Sequence, residues 1–185
     1  MIMNENHLFF LRHCQSLYNV QGKISGQADC PIVNKKIDCT TLKEILSLEN
    51  VVIISSPLTR CLDTANLLLH SASVNWPIVV DKTIIERGMG RWEGVERKVI
   101  IKQFPDFFHN GKFIAKLTPV GDGEKYTDFQ NRLIFFVHTI ERIIKEKHII
   151  VCSHNQTLRM ITALITKKNY DFVSSYPNGV VTKII

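Results

Sequence analysis

The sequence has no long hydrophobic run. Hydrophobic side chains make up 45% of its 185 residues, yet no stretch approaches the ~20 apolar residues needed to cross a bilayer. A membrane partner is not expected. The opening residues, MIMNENHLFFLRH, have no basic leader and an apolar run too short for a secretory signal. Cysteine is sparse and without pattern: Cys14, Cys30, Cys39, Cys61 and Cys152 make an odd count of five with no CxxC pair. That excludes a recognisable disulfide framework or zinc spacing and favours a reducing, cytoplasmic setting. No carboxylate or Cys/His cluster falls at metal-ligand spacing, so neither a metal nor an organic cofactor is expected. Acidic residues are outnumbered, 17 against 23 Lys plus Arg, for a net charge of +6. The basic residues are scattered, however, and form no stripe interleaved with aromatics, so a nucleic-acid partner is not expected either. A mildly basic, solvated surface accounts for this charge as well as a small anionic partner does. Internal repeats and low-complexity linkers are also missing, which leaves one domain over residues 1–185.

What is present alternates short apolar runs with longer amphipathic ones. HLFFLRH (7–13), VVIISS (51–56), PIVVDKTI (77–84) and HIIVCSH (148–154) are nearly continuous in β-branched and aromatic residues and read as strands buried on both faces. Leu58, Leu62, Ala65, Leu68 and Leu69 share one face of a helix that follows Pro57, a residue suited to a first helical turn. Phe129, Leu133, Phe136, Ile140, Ile143 and Ile144 stripe a longer helix, and Leu158, Ile161, Leu164 and Ile165 a third. VVTKII, after the Pro177-Asn178-Gly179 turn signal, reads as a last strand at an edge. This order predicts an α/β three-layer sandwich with a mainly parallel central sheet flanked by helices.

In such sheets ligands bind beyond the carboxyl ends of the strands. Three ends carry chemistry: Arg12-His13-Cys14, Ser55-Ser56-Pro57 with Arg60 just beyond, and Ser153-His154-Asn155. Glu86 follows the third strand in a loop with glycines close behind. Two histidines, two arginines and a carboxylate suit phosphoryl transfer. Arginine presents a planar fork to phosphate oxygens, neutral imidazole can attack phosphorus, and a carboxylic acid can protonate the departing oxygen. Taken singly, His13 could be structural, Arg60 could pair with Asp63 on its own helix, and Glu93 is a second carboxylate near the crevice.

LRHCQSLYN resembles the signature of the histidine phosphatase superfamily, also called phosphoglycerate mutase-like, usually written LxRHGxTxxN. SSPLTRCLDTA resembles its second block, IIERGMGRWEG the block with its acid, GDGEKYTDFQNR its GES loop and following helix, and VCSHNQTLR its closing SHG block. The five resemblances stand in the family's order across nearly the whole chain. They imply that His13 is a nucleophile that becomes a phosphohistidine. Arg12, Arg60 and His154 would hold the phosphoryl oxygens, and Glu86 would protonate the leaving group and then assist water. Asn19 would lie near the phosphate pocket, Ser25 and Gly26 in a loop that approaches substrate. No metal or organic cofactor is implied.

Two departures bear on the site. Cys14 stands where the family has glycine, and its thiol, near two arginines and a helix N-terminus, is expected to have a lowered pKa and is a rival nucleophile. Asn155-Gln156 replaces glycine after His154; a left-handed φ is expected at Asn155, with its side chain toward substrate. Trp92 is expected to pack the loop of Glu86. Residues of about 95–124, rich in phenylalanine and lysine, resemble a cap-like insertion over the leaving group. The length leaves little room for a mutase lid, so the resemblance implies a phosphomonoester hydrolase of a small phosphorylated metabolite, similar to broad-specificity and alpha-ribazole phosphatases. A weak or inactive phosphate-ester-binding member and a phosphoglycerate mutase-type phosphotransferase are the alternatives. Monomer and homodimer stay open.

Overall fold

Five strands form one sheet in the order β3-β2-β6-β1-β7. They are β1 (Leu8–Arg12), β2 (Val51–Ser55), β3 (Ile78–Val80), β6 (His148–Ser153) and β7 (Val181–Lys183). The computed structural model describes residues 6–38 and 42–185; expectations that fall on Cys39 or on the first five residues lie outside it. The central strands β1, β6 and β2 and the edge strand β3 run parallel, and β7 closes the other edge antiparallel to β1. The last strand is therefore at an edge, as the turn signal predicted.

Period-two alternation sorts the strand residues between two cores. Leu8, Phe10, Val52, Ile54, Ile149 and Val151 pack on one face. They meet Phe129, Leu133, Phe136 and Ile140 of α5 (Tyr126–Ile143) and Leu158 and Ile161 of α6 (Asn155–Thr166). Phe9, Leu11, Ile53, Ile150 and Cys152 pack on the other face, against Cys61, Ala65 and Leu68 of α3 (Thr59–Ala72) and Ile45 of α2 (Leu42–Leu46). Helix, sheet and helix make three layers around a mainly parallel sheet.

Two element expectations need correction. PIVVDKTI is a strand only over Ile78–Val80, and Val79 and Val80 are each 52% exposed, because β3 is an edge strand and has a neighbour on one side only. Asp81 ends it: its Oδ1 accepts from the Thr83 N–H and hydroxyl and caps the 3-10 turn Lys82–Ile84. Pro57 also lies outside its helix, whose N-cap is the extended Leu58.

Between the loop of Glu86 and α5 lie α4 (Arg97–Gln103), a 3-10 turn and the small hairpin of β4 (Phe108–His109) and β5 (Lys112–Phe113). A core of their own holds them. Trp92 is buried against Met89 and Ile100, with ring centroids 5.4 Å from Phe104, 5.4 Å from Phe107, 6.0 Å from Phe108 and 5.7 Å from Phe113. Trp92 thus packs on the loop of Glu86 and joins this segment to it. The short helix α1 (Leu17–Val20) follows β1.

Candidate active site

Parallel strands that end together bring their last residues together. The β1–β6 ladder runs to Arg12 opposite Ser153, and the His13 N–H continues it to the Ser153 carbonyl at 3.0 Å. The Ser56 N–H does the same from β2 to the Cys152 carbonyl at 3.0 Å. Arg12-His13, Ser55-Ser56 and Ser153-His154 therefore come to one edge of the sheet, where α3 and α6 begin.

His13 is buried, and its Nδ1 lies 2.7 Å from the Cys14 carbonyl, an acceptor only. Nδ1 must carry the proton, which leaves the Nε2 lone pair free. Burial, then the Arg60 charge, pulls the imidazole pKa down to about 3. A neutral imidazole with an unprotonated Nε2 results.

Arg60 is fully buried on the first turn of α3. Its Nη1 donates to the Ala28 carbonyl and its Nη2 to the Gly26 carbonyl, each at 2.7 Å, and its Nε donates to His154 Nδ1 at 3.3 Å. Asp29 is 4.0 Å away; Asp63 is not a partner. Gly26 has φ +49, and a Cβ there would collide with the Glu93 carboxylate, so glycine is required on both counts. Arg12 donates from Nη1 to the Tyr176 carbonyl at 2.8 Å, while its buried Nε has no partner among the described residues.

The Glu86 carboxyl is fixed by four hydrogen bonds. Its Oε1 accepts from the Arg87 N–H (3.0 Å), the Thr157 N–H (3.1 Å) and the Thr157 hydroxyl (3.0 Å), and its Oε2 accepts from the Gln156 N–H (3.2 Å). The last three donors belong to the first turn of α6, where backbone N–H groups have no intrahelical partner. Glu93 is engaged otherwise: its carboxylate accepts from the N–H groups of Gln27, Ala28 and Met89. It ties two loops together.

A cavity of about 550 Å³ opens over this edge, lined by Arg12, His13, Asn19, Ser25, Gly26, Arg60, Glu86 and Asn155 among others. His154 is not on its wall. It lies beside His13 with ring centroids 5.3 Å apart, and its Nδ1 is taken by Arg60. Its Nε2–H points to Ser56 Oγ at 2.8 Å. Burial, reinforced by Arg60 and His13, holds its pKa well below the ordinary value.

The two departures sit differently from expectation. The Cys14 thiol turns away from the cavity, toward the Lys36 carbonyl at 3.4 Å, and burial pushes its pKa up instead of down. Its backbone φ is not positive, so glycine is not needed there. Asn155 is helical and not left-handed; its Oδ1 accepts from the Tyr176 N–H at 3.0 Å. Asn19 caps α1, with Oδ1 accepting from the Ser16 N–H at 3.1 Å.

Several contributors escaped the sequence reading. Thr157 orients Glu86; a hydroxyl in the first helical turn after VCSH was the available signal. Asn178, read only as part of a turn, donates to the His13 carbonyl at 2.8 Å. Lys23 and Arg159 line the cavity from segments that no local pattern marks, and Arg97 and Lys112 reach it from the basic segment of about 95–124. No group of three or more His, Cys, Asp or Glu side chains among the described residues is placed to hold a metal.

Fold and site together define an α/β protein with a buried, neutral histidine beside two arginines at the carboxyl edge of its sheet. The chain belongs to the histidine phosphatase superfamily (branch 1), whose sequence profile matches residues 8–184. It is 24% identical over 159 residues to the 2,3-bisphosphoglycerate-dependent phosphoglycerate mutase 2 of Gloeobacter violaceus, covering 83% of this chain and 73% of that protein. Among solved structures it resembles YhfR of Bacillus stearothermophilus, with TM-score 0.80 and 25% identity over 97% of this chain and 91% of that one. The alpha-ribazole phosphatase of Shigella flexneri shares the fold with TM-score 0.76 and 19% identity, over 97% and 90% of the two chains. Proteins named as mutases and as phosphatases therefore both stand among its relatives.

Proposed function

We propose that the protein is a phosphomonoester hydrolase that works through a phosphohistidine on His13. The observation that carries this is the free Nε2 of His13, set by the Nδ1 hydrogen bond to Cys14, beside the Arg12 and Arg60 guanidinium groups and on one cavity with Glu86. Nε2 attacks phosphorus, the bond to the leaving oxygen breaks, and that oxygen takes the proton of Glu86 in its acid form. Water then attacks the phosphohistidine, its proton returns to Glu86, and the N–P bond breaks. Arg12 and Arg60 offset the phosphoryl charge throughout. His154, with both nitrogens engaged, fixes Arg60 and packs on His13; that is a positioning role, in place of direct contact with the phosphoryl oxygens. The segment from α4 to α5 serves as the cap in this reading.

Hydrolysis is favoured over transfer back to substrate because solvent-exposed residues such as Gln15, Arg97 and Lys112 stand on the cavity wall, so water has access to the phosphoenzyme. The test is phosphate release from p-nitrophenyl phosphate by the wild type, His13→Ala and Cys14→Ser. The wild type and Cys14→Ser should turn over at similar rates, and His13→Ala should lose activity by three orders of magnitude or more, on the order expected for removal of a nucleophile. Retained activity in His13→Ala, or loss in Cys14→Ser alone, would sink the proposal.

A further inference from the structure

We infer that the protein has a second ligand site, between α5 and α6, that takes a flat organic anion: an aromatic body bearing a carboxylate or a phosphoryl group. It stands independently of the hydrolase reading. A cavity of about 530 Å³ opens there, a size that suits a small molecule. It shares one residue, Tyr170, with the cavity over His13. The Arg159 guanidinium lies 4.3 Å from the Tyr170 ring centroid and lines the His13 cavity but not the second one, so this ring is the partition between them.

The lining sets the class of ligand. Met160, Ala163 and Leu164 of α6 make an apolar surface, and Tyr126 of α5 joins Tyr170 beside it. Apolar and aromatic side chains together suit a flat apolar body. Around them stand three lysines, and no carboxylate is on the wall. Lys167 ends α6 in a left-handed turn, φ +55, which carries Lys167 and Lys168 to the cavity, whereas Lys116 comes from the loop after β5. Carbonyls at the end of a helix explain lysines at 167 and 168. They do not explain Lys116. None of the three forms an ion pair among the described residues. Asp171, which adds to burial in raising the Tyr126 phenol pKa, is not on the wall and pairs with none of them. Like charges gathered about one concavity repel, and an anion placed among them relieves that repulsion.

The probe is 8-anilinonaphthalene-1-sulfonate, whose emission reports burial, beside its uncharged counterpart N-phenyl-1-naphthylamine. Each is titrated into the wild-type protein with orthovanadate present to fill the cavity over His13. The sulfonate should bind about tenfold tighter than the uncharged dye or better. In the Lys167→Gln/Lys168→Gln protein that ratio should fall toward unity, with binding of the uncharged dye and any phosphate release from p-nitrophenyl phosphate unchanged; a merely structural role would weaken both dyes alike and preserve the ratio. 2-Naphthoate and 2-naphthylphosphonate then compete with the bound sulfonate, and the stronger competitor identifies carboxylate or phosphoryl as the group taken. Equal affinity of the two dyes, no binding of either, a ratio that survives the double substitution, release of the sulfonate by orthovanadate, or displacement by neither competitor would overturn the inference.

Discussion

At His13 the same forces that keep the imidazole neutral also set a pH dependence. The folded pKa is depressed to about 3 from 6.5, first by burial and then by Arg60, with the Cys14 carbonyl opposing. Between those values the unfolded chain binds a proton that the folded chain refuses. Stability is therefore greatest above pH 6.5 and declines as pH falls through this window, by up to about 1.4 kcal/mol per pH unit for one such group. His154 acts in the same direction. Urea denaturation of the wild type should show this slope, and His13→Asn, which has no proton to bind, should show a shallower one. Identical slopes would place the linkage on other groups. That Arg12, His13, Arg60 and Glu86 meet on one cavity was largely legible in sequence, because they fall at strand ends or in the segments that follow. Orientation was not: nothing in LRHCQSLYN says that the Cys14 thiol turns to the Lys36 carbonyl.

Among the elements, the loop of Glu86 is clamped from α5. Arg132 donates from Nε to Glu124 Oε1 at 2.7 Å and from Nη2 to Glu124 Oε2 at 3.0 Å, and it also reaches the Glu86 carbonyl at 3.2 Å and the Thr83 carbonyl. Glu124 Oε2 in turn accepts from the Gly88 N–H at 3.0 Å. The fully buried Arg87 holds the other side, donating to the carbonyls of Ala115, Leu117 and Glu124. A lysine at position 132 keeps the charge but loses the two-pronged contact. Arg132→Lys should lower unfolding free energy by on the order of 2 kcal/mol and reduce kcat more than it raises KM, since the loop carries Glu86, the acid of the proposed reaction. Denaturation and steady-state kinetics check this; an unchanged kcat would mean that the loop keeps its position without the clamp. GDGEKY resembled a family block without any hint of this work, because the partner residues lie on three separate segments.

For the whole molecule, stability comes from two cores divided by one sheet. Phe9 and Phe10 are adjacent in sequence, each fully buried, and face opposite layers. Phe9→Ala and Phe10→Ala should each cost about 3–5 kcal/mol, measured by chemical denaturation. A negligible cost for one of them would mean that its layer repacks or contributes little.

The sequence by itself determined the layers and the location of the chemistry. Runs apolar on both faces must be covered twice, amphipathic stripes must find them, and parallel strands must end together, so the residues just past those ends had to meet. Tertiary structure alone decided which groups complete the site. It made PIVVDKTI a short exposed edge, because sheet position and not composition sets how many neighbours a strand has. It retired Glu93 to a backbone tie and put His154 behind Arg60. It also gathered Lys23, Arg97, Lys112 and Arg159 about one cavity. Hydrogen-bond geometry and charge proximity are properties of pairs distant in sequence, and only the folded chain brings such pairs within reach.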